Sequence, residues 1–169
     1  MKRFLIVPIC LILSQSLPAQ IPRTLYVVNG LAETLTKINL ETNSVTNHIV
    51  TLGVVPNQIV VHGKLGYVVN SISSNIQIID LEGDSTAGII NLGAGRNPWN
   101  IAVADSQNAY VTNFSANTIS RLDLTNKTLS GEFPVGQSPE GLTFYAGKLY
   151  VCVTGFNPVN FTYGVGKIA

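Results

Sequence analysis

The residues on which most enzyme chemistry rests are scarce in this sequence. In 169 residues there are two cysteines, two histidines, one tryptophan and one methionine, and charged side chains make up only 11%. One cysteine, Cys10, sits in an apolar start that we read as removed, leaving Cys152 without a partner for an intrachain disulfide. Ten basic residues face nine acidic ones along the whole length, and eight face nine once Lys2 and Arg3 are set aside (10 − 2). With no basic patch the composition argues against nucleic acid, and with no basic amphipathic helix it argues against a membrane surface. Apolar residues never recur at a 3.6 spacing, and Pro or Gly interrupts every window long enough for a helix, which excludes helical repeats. His48 and His62 have no serine or carboxylate at a suggestive spacing, so a catalytic triad has no support. Gly93-Ala-Gly95 is followed by Pro98 and a strand instead of a helix, and Gly164-Val-Gly-Lys167 lacks the spacing of a phosphate loop. No cofactor and no metal site are expected.

What the sequence does hold is a repeat. Tyr26, Tyr67, Tyr110 and Tyr150 are separated by 41, 43 and 40 residues, and three of them open Tyr-Val-Val-Asn, Tyr-Val-Val-Asn and Tyr-Val-Thr-Asn. Thirteen residues after each of those three stand Asn39, Asp80 and Asp123, each followed by leucine. Pro56, Pro98 and Pro139 recur at 42 and 41, each three residues after a glycine (Gly53, Gly95, Gly136). Within one period, such as Tyr110–Phe144, four short β-branched or aromatic runs are separated by turn residues. A period near 40 built from four short strands is the signature of a β-propeller blade. Columns such as Leu35/Ile76/Ile119 and Ile38/Ile79/Leu122 are an odd number of residues apart, so each sheet has apolar residues on both faces, as stacked sheets require.

These residues resemble the YVTN family of bacterial β-propeller repeats. Tyr110-Val-Thr-Asn113, Asn75-Ile-Gln-Ile-Ile-Asp80 and Val135-Gly-Gln-Ser-Pro139 carry the resemblance, which covers nearly everything after residue 23. The Gly-His and Trp-Asp marks of the commonest propeller repeat are absent. The resemblance implies an all-β propeller of four-stranded antiparallel blades, and it leaves the ligand open, since fold does not imply function.

Met1–Ala19 reads as a signal peptide: Lys2 and Arg3, an apolar run from Phe4 to Leu13, then small and polar residues. That run is too short for a spanning helix of about 20 residues. We therefore expect a secreted or periplasmic bacterial protein, cut near Ala19, with no membrane span left. Residues 20–169 form the repeats, with units at about 24–53, 54–93, 94–136 and a partial 137–169. The first unit lacks an innermost strand, and the last has a long segment, Thr154–Tyr163, before Val165-Gly-Lys-Ile168 opens a third. Three and a half blades fall short of the roughly four to eight of a typical ring. We expect a shortened product of a longer gene first, then a dimer completing a ring, then a partly disordered arc, with self-association through open blade edges. Cys152, aligned with Val28, Val69 and Thr112, is expected to be a buried small hydrophobe.

In a four-stranded blade, the loop into the innermost strand and the loop between strands two and three share one face. The first set carries Asn57, Arg96, Trp99, Asn100 and Glu140, and the second carries Asn70, Asn113 and Phe114, with Asn29 in the first unit. These are the candidate ligand-binding residues, because function in repeat folds usually lives on such loops and Arg and aromatics dominate binding hot spots. Asparagines there also cap turns through side-chain to backbone bonds. The resemblance implies a non-catalytic scaffold for a protein or small-molecule ligand. The alternative is an enzyme or enzyme subunit, since similar propellers occur as lactonases and as amine dehydrogenase subunits. A metal-dependent lactonase needs a central ring of acids, and the matching positions here are Asn57, Asn100 and Glu140.

Overall fold

The computed structural model describes residues 23–169, so the segment read as a signal peptide lies outside the described residues. Every regular element there is a strand. β1 (Thr24–Asn29), β2 (Thr34–Asn39) and β3 (Ser44–Thr51) form a three-stranded antiparallel sheet. β4 (Pro56–His62), β5 (Leu65–Asn70), β6 (Asn75–Asp80) and β7 (Ser85–Asn91) form the second sheet. β8 (Pro98–Val103), β9 (Asn108–Asn113), β10 (Thr118–Asp123) and β11 (Thr128–Pro134) form the third. In the fourth, β13 (Lys148–Val153) pairs with β12 (Pro139–Tyr145) on one side and with β16 (Lys167–Ile168) on the other. The long segment between them folds back as a separate hairpin of β14 (Phe156–Asn157) and β15 (Thr162–Tyr163). The first strands of successive sheets lie close together, β4 against β8 and β8 against β12, while the outer strands β3, β7 and β11 barely meet. The sheets therefore fan out from a common inner edge as blades of an arc.

Local chemistry repeats with the fold. Pro56, Pro98 and Pro139 open the inner strands, and each is buried at a register shift in the ladder. A proline there cannot donate to a ladder, and the first residue of a strand is where that costs least. The residue before each proline, Val55, Asn97 or Ser138, has φ of 53, 49 or 53°. The same left-handed step is thus taken three times. It is easy for Asn97 and strained for the β-branched Val55.

The second-strand tyrosines occupy one register: Tyr26 pairs with Lys37, Tyr67 with Ile78 and Tyr110 with Arg121. Each points to the following sheet, together with the residue two positions on. Tyr67, Val69, Ile76 and Ile90 pack with Ala109, Val111 and Leu122 of the third sheet. Tyr26, Val28 and Leu35 pack with Val68 and Ile79 of the second. Tyr110 and Ile119 pack with Leu149, Val151 and Val153 of the fourth. Leu35/Ile76/Ile119 thus bury toward the next sheet and Ile79/Leu122 toward the previous one. Burial of the tyrosines is unequal. Tyr67 is 3% exposed, Tyr26 and Tyr110 are half-buried, and Tyr150 is 41% exposed. Tyr110 lies nearly parallel to Phe144, at 11° and 6.1 Å between ring centres. Cys152, expected inside, is exposed, because it lies on the face of the fourth sheet that no described sheet covers.

Polar links join neighbouring sheets. Lys37 of β2 reaches Asp84 at 2.9 Å in the turn before β7, and this bond raises the lysine's pKa above its ordinary value. Lys127, in the turn before β11, donates to the Ala87 carbonyl at 2.7 Å across Gly88, where a Cβ would come within 2.9 Å of the lysine stem. Within the third sheet, Arg96 clasps Glu132 with two bonds of 3.2 and 2.8 Å, and Thr118 adds a third at 2.6 Å. The Arg96 bonds, then that from Thr118, hold the Glu132 carboxyl below its ordinary 4.5.

Two outcomes follow. Replacing Tyr67 by Ala should cost about 3–5 kcal/mol in denaturant titration, the range for removing a buried aromatic ring, whereas Tyr150→Ala should cost under about 1. Equal losses at the two positions would contradict the packing described. Glu132 ionises more readily folded than unfolded, so its stabilisation is complete above about 4.5 and disappears as the pH falls through the lower folded value. The thermal midpoint of Glu132→Gln should therefore lie below wild type at neutral pH, with the gap closing in acid. A gap that stays constant or widens in acid would rule out the ion pair as its source.

Candidate functional site

The two loop sets that share one face are zipped together by backbone bonds beyond the ends of the strands. Ser71 and Ile72 amides donate to Val55 and Val54, Phe114 and Ser115 to Asn97 and Arg96, and Thr154 and Gly155 to Ser138 and Gln137. Under them runs a repeated clamp. Asn29 donates its side-chain amide to Thr34 and Thr36, Asn70 to Asn75 and Gln77, and Asn113 to Thr118 and Ser120. The partners stand five and seven residues on in every case. A short amide at the end of the second strand thus ties off the turn to the third, which is the physical use of the asparagine in Tyr-Val-x-Asn. Asn70 and Asn113 are 1% and 0% exposed, so they build the face from beneath and are removed from its candidate lining.

The remaining candidates divide. Asn57 is exposed and donates to the Ser71 hydroxyl, which in turn donates to the Pro98 carbonyl at 2.7 Å and ties sheet two to sheet three. Asn100 and Glu140 are half-buried and take part through their backbones. The Asn100 amide donates to the Thr112 hydroxyl at 3.1 Å, and that hydroxyl donates to the Glu140 carbonyl at 2.6 Å. Arg96 is engaged by Glu132, so its charge is already neutralised locally. Trp99 is 40% exposed and packs on Phe114 at 5.4 Å between ring centres.

From Trp99 a row of rings continues into the fourth sheet. Phe114 meets Phe156 at 5.9 Å, and Phe156 meets Tyr163 at 5.1 Å and Phe161 at 6.1 Å. Tyr163 and Phe161 are 71% and 78% exposed. Sequence reasoning missed these three rings. The signal was there in the extra length of Thr154–Tyr163, which has no counterpart in the other units and forms the hairpin that holds them. The hairpin is anchored by Ser138, whose hydroxyl donates to the Phe156 carbonyl at 2.8 Å. A small recess of about 110 Å³ between Phe114, Asn117, Ser138 and Pro158 borders the row. Neither histidine joins it: His48 is exposed in β3, 3.1 Å from the Thr51 hydroxyl, and His62 is exposed at the end of β4. Among the described residues no three His, Cys, Asp or Glu side chains are grouped to hold a metal ion.

No protein-family model matches the chain, and no curated protein sequence matches it. Solved structures do. A chain of hydrazine synthase from Kuenenia stuttgartiensis superposes with a TM-score of 0.65 at 17% identity, over 94% of this chain and 52% of that one. Virginiamycin B lyase from Staphylococcus aureus gives 0.66 at 15% identity, over 86% and 51%. AztD from Citrobacter koseri gives 0.56 at 21% identity, over 66% and 32%. The chain spans about half the length, or less, of these solved chains. At such identities the likeness speaks for the fold alone, and with the fanned antiparallel sheets it establishes that the described residues are an incomplete arc of a β-propeller.

Proposed function

We propose that the chain is a secreted, non-catalytic β-propeller binding scaffold of the YVTN repeat type, and that its ligand surface is the aromatic row on the zipped loop face. The observation that carries this reading is the unbroken run Trp99–Phe114–Phe156–Tyr163, exposed at both ends and mounted on hydrogen-bonded loops. Large rigid rings lose little entropy on binding and supply most of the energy at interfaces. Loops held by backbone bonds and asparagine clamps keep those rings pre-organised. Asn117 and Ser138 border the row with polar groups, as a site that takes a partly polar ligand needs. The enzyme or enzyme-subunit alternative is supported only by the names of some structural neighbours, a lyase and a synthase among them.

Trp99 is the sole tryptophan, so its emission reports on this surface directly. Titrating the purified chain with a panel of peptides and oligosaccharides should give a saturable change in that emission for at least one class. Phe114→Ala or Phe156→Ala should weaken the same binding about tenfold or more, the scale of a hot-spot residue. Binding indifferent to both substitutions would place the ligand elsewhere, and turnover of the bound compound would overturn the non-catalytic reading.

A further inference from the structure

The backbone acceptors beside the aromatic row are already engaged. The Arg96 and Asn97 carbonyls accept the Ser115 and Phe114 amides, and the Gln137 carbonyl accepts the Gly155 amide. The Ser138 carbonyl accepts both the amide and the hydroxyl of Thr154, and the Phe156 carbonyl accepts the Ser138 hydroxyl at 2.8 Å. Asn117 accepts the Ser138 amide on its side-chain oxygen at 2.8 Å, so the half of its amide left for a ligand is the NH2 group. Trp99 adds an indole N–H, a group that only donates. Among the described residues, the hydrogen-bonding groups still open beside the rings are thus weighted toward donors.

Charge and shape narrow the ligand further. Arg96 is held by two bonds to Glu132, and no charged side chain lines the recess beside the row. One wall of that recess is Phe114, Ser115 and Asn117, from the loop after β9. The other is Gln137 and Ser138, from the loop before β12, with Pro158 of the hairpin. Both walls therefore belong to sheets that pack on each other within the chain. At about 110 Å³ the recess holds one residue-sized group, well short of the roughly 300–1,000 Å³ that encloses a whole small molecule. A ligand that uses the recess and the rings together is a chain laid along the row, with one group lowered between the sheets. Ring centres along it stand 5.4 Å apart from Trp99 to Phe114 and 5.9 Å from Phe114 to Phe156.

We propose that the row binds a proline-rich polypeptide segment in the left-handed polyproline conformation; this rests on the reading of the row as the ligand surface and names the class of ligand. A polyproline helix makes no internal hydrogen bonds and proline has no N–H, so its backbone presents carbonyl acceptors alone. That is the complement of a strip whose open groups are the Trp99 indole and the Asn117 amide. One turn is three residues and rises about 9 Å, so prolines at i and i+3 share a side and span the two ring steps from Trp99 to Phe156. Aromatic-lined grooves recognise such segments elsewhere, and the pre-ordered helix loses little entropy on docking. A neutral oligosaccharide instead brings a donor with every hydroxyl, and the loop carbonyls that would accept it are engaged. A charged peptide meets no opposite charge in the recess.

Calorimetric titration of the purified full chain with decaproline tests this, with a Gly-Ser peptide of equal length and maltohexaose as comparisons. Decaproline should bind saturably and shift the Trp99 emission, and the Gly-Ser peptide should bind at least about tenfold more weakly. Trp99→Phe keeps a ring and removes the N–H, so it should weaken decaproline about fivefold, the scale of one hydrogen bond. Phe114→Ala should weaken it about tenfold or more. Circular dichroism checks that each variant folds; if Phe114→Ala does not, Trp99→Phe and the comparison of ligands decide the matter. No decaproline binding overturns the proposal. Maltohexaose or the Gly-Ser peptide binding as tightly, with the same dependence on Phe114, overturns the proline-rich class while the row stands as the ligand surface. Decaproline binding that ignores both substitutions and leaves the Trp99 emission unchanged overturns the proposal and the reading of the row together.

Discussion

The structure depends on one contact, repeated: the second-strand tyrosine and its i+2 neighbour pressed against the alternate residues of the next sheet. A single sheet of this chain cannot bury both of its apolar faces, since its strands carry aliphatic residues on each side. Stacking removes both faces from water at once, and burial of apolar area is the dominant favourable term in folding. In stacked repeats stability is therefore a sum over sheets and the interfaces between them. The grading of burial follows. Residues of the second sheet, covered on both sides, reach 0% exposure at Val68, Val69, Ile76 and Ile79, while Leu25 and Tyr150 on the open sides remain at 49% and 41%.

Stacking also decides what the loops can do. Because each sheet is fixed by its neighbours, the loops at one end of the strands are held in a row at a repeat distance. The asparagine clamps and the backbone bonds between the two loop sets stiffen that row further. Side chains carried there are thus brought together by the stacking of the sheets that bear them. This is how Trp99 of the third sheet and Phe156 of the fourth come to flank Phe114.

Whatever belongs to the period was legible in the sequence. Tyr26, Tyr67 and Tyr110 do share a register, the two aliphatic columns do lie on opposite faces, and the loops carrying Asn57, Trp99 and Phe114 do lie at one end of the strands. Each such position is dictated by its own copy of the repeat, so several columns report it independently. Features outside the period were hidden. Phe156, Phe161 and Tyr163 sit in an insertion with no counterpart to align, and only the fold brings them to Trp99. Arg96 finds Glu132 36 residues away, in a pairing that no other sheet copies. Cys152 occupies a core column yet is exposed, because burial belongs to the neighbouring sheet and not to the residue. Asn70 and Asn113 were legible as loop residues, but their inward turn was set by partners five and seven positions along.

If interfaces between sheets carry the stability, local opening should track how many neighbours a sheet has. Native-state amide hydrogen exchange, resolved by strand, measures this most directly. The slowest exchange should fall in β5, β6, β9 and β10, with faster exchange in β1 and β2, and the fastest in β14, β15 and β16. Uniform protection across the four sheets, or slower exchange in the first sheet than in the second, would contradict it.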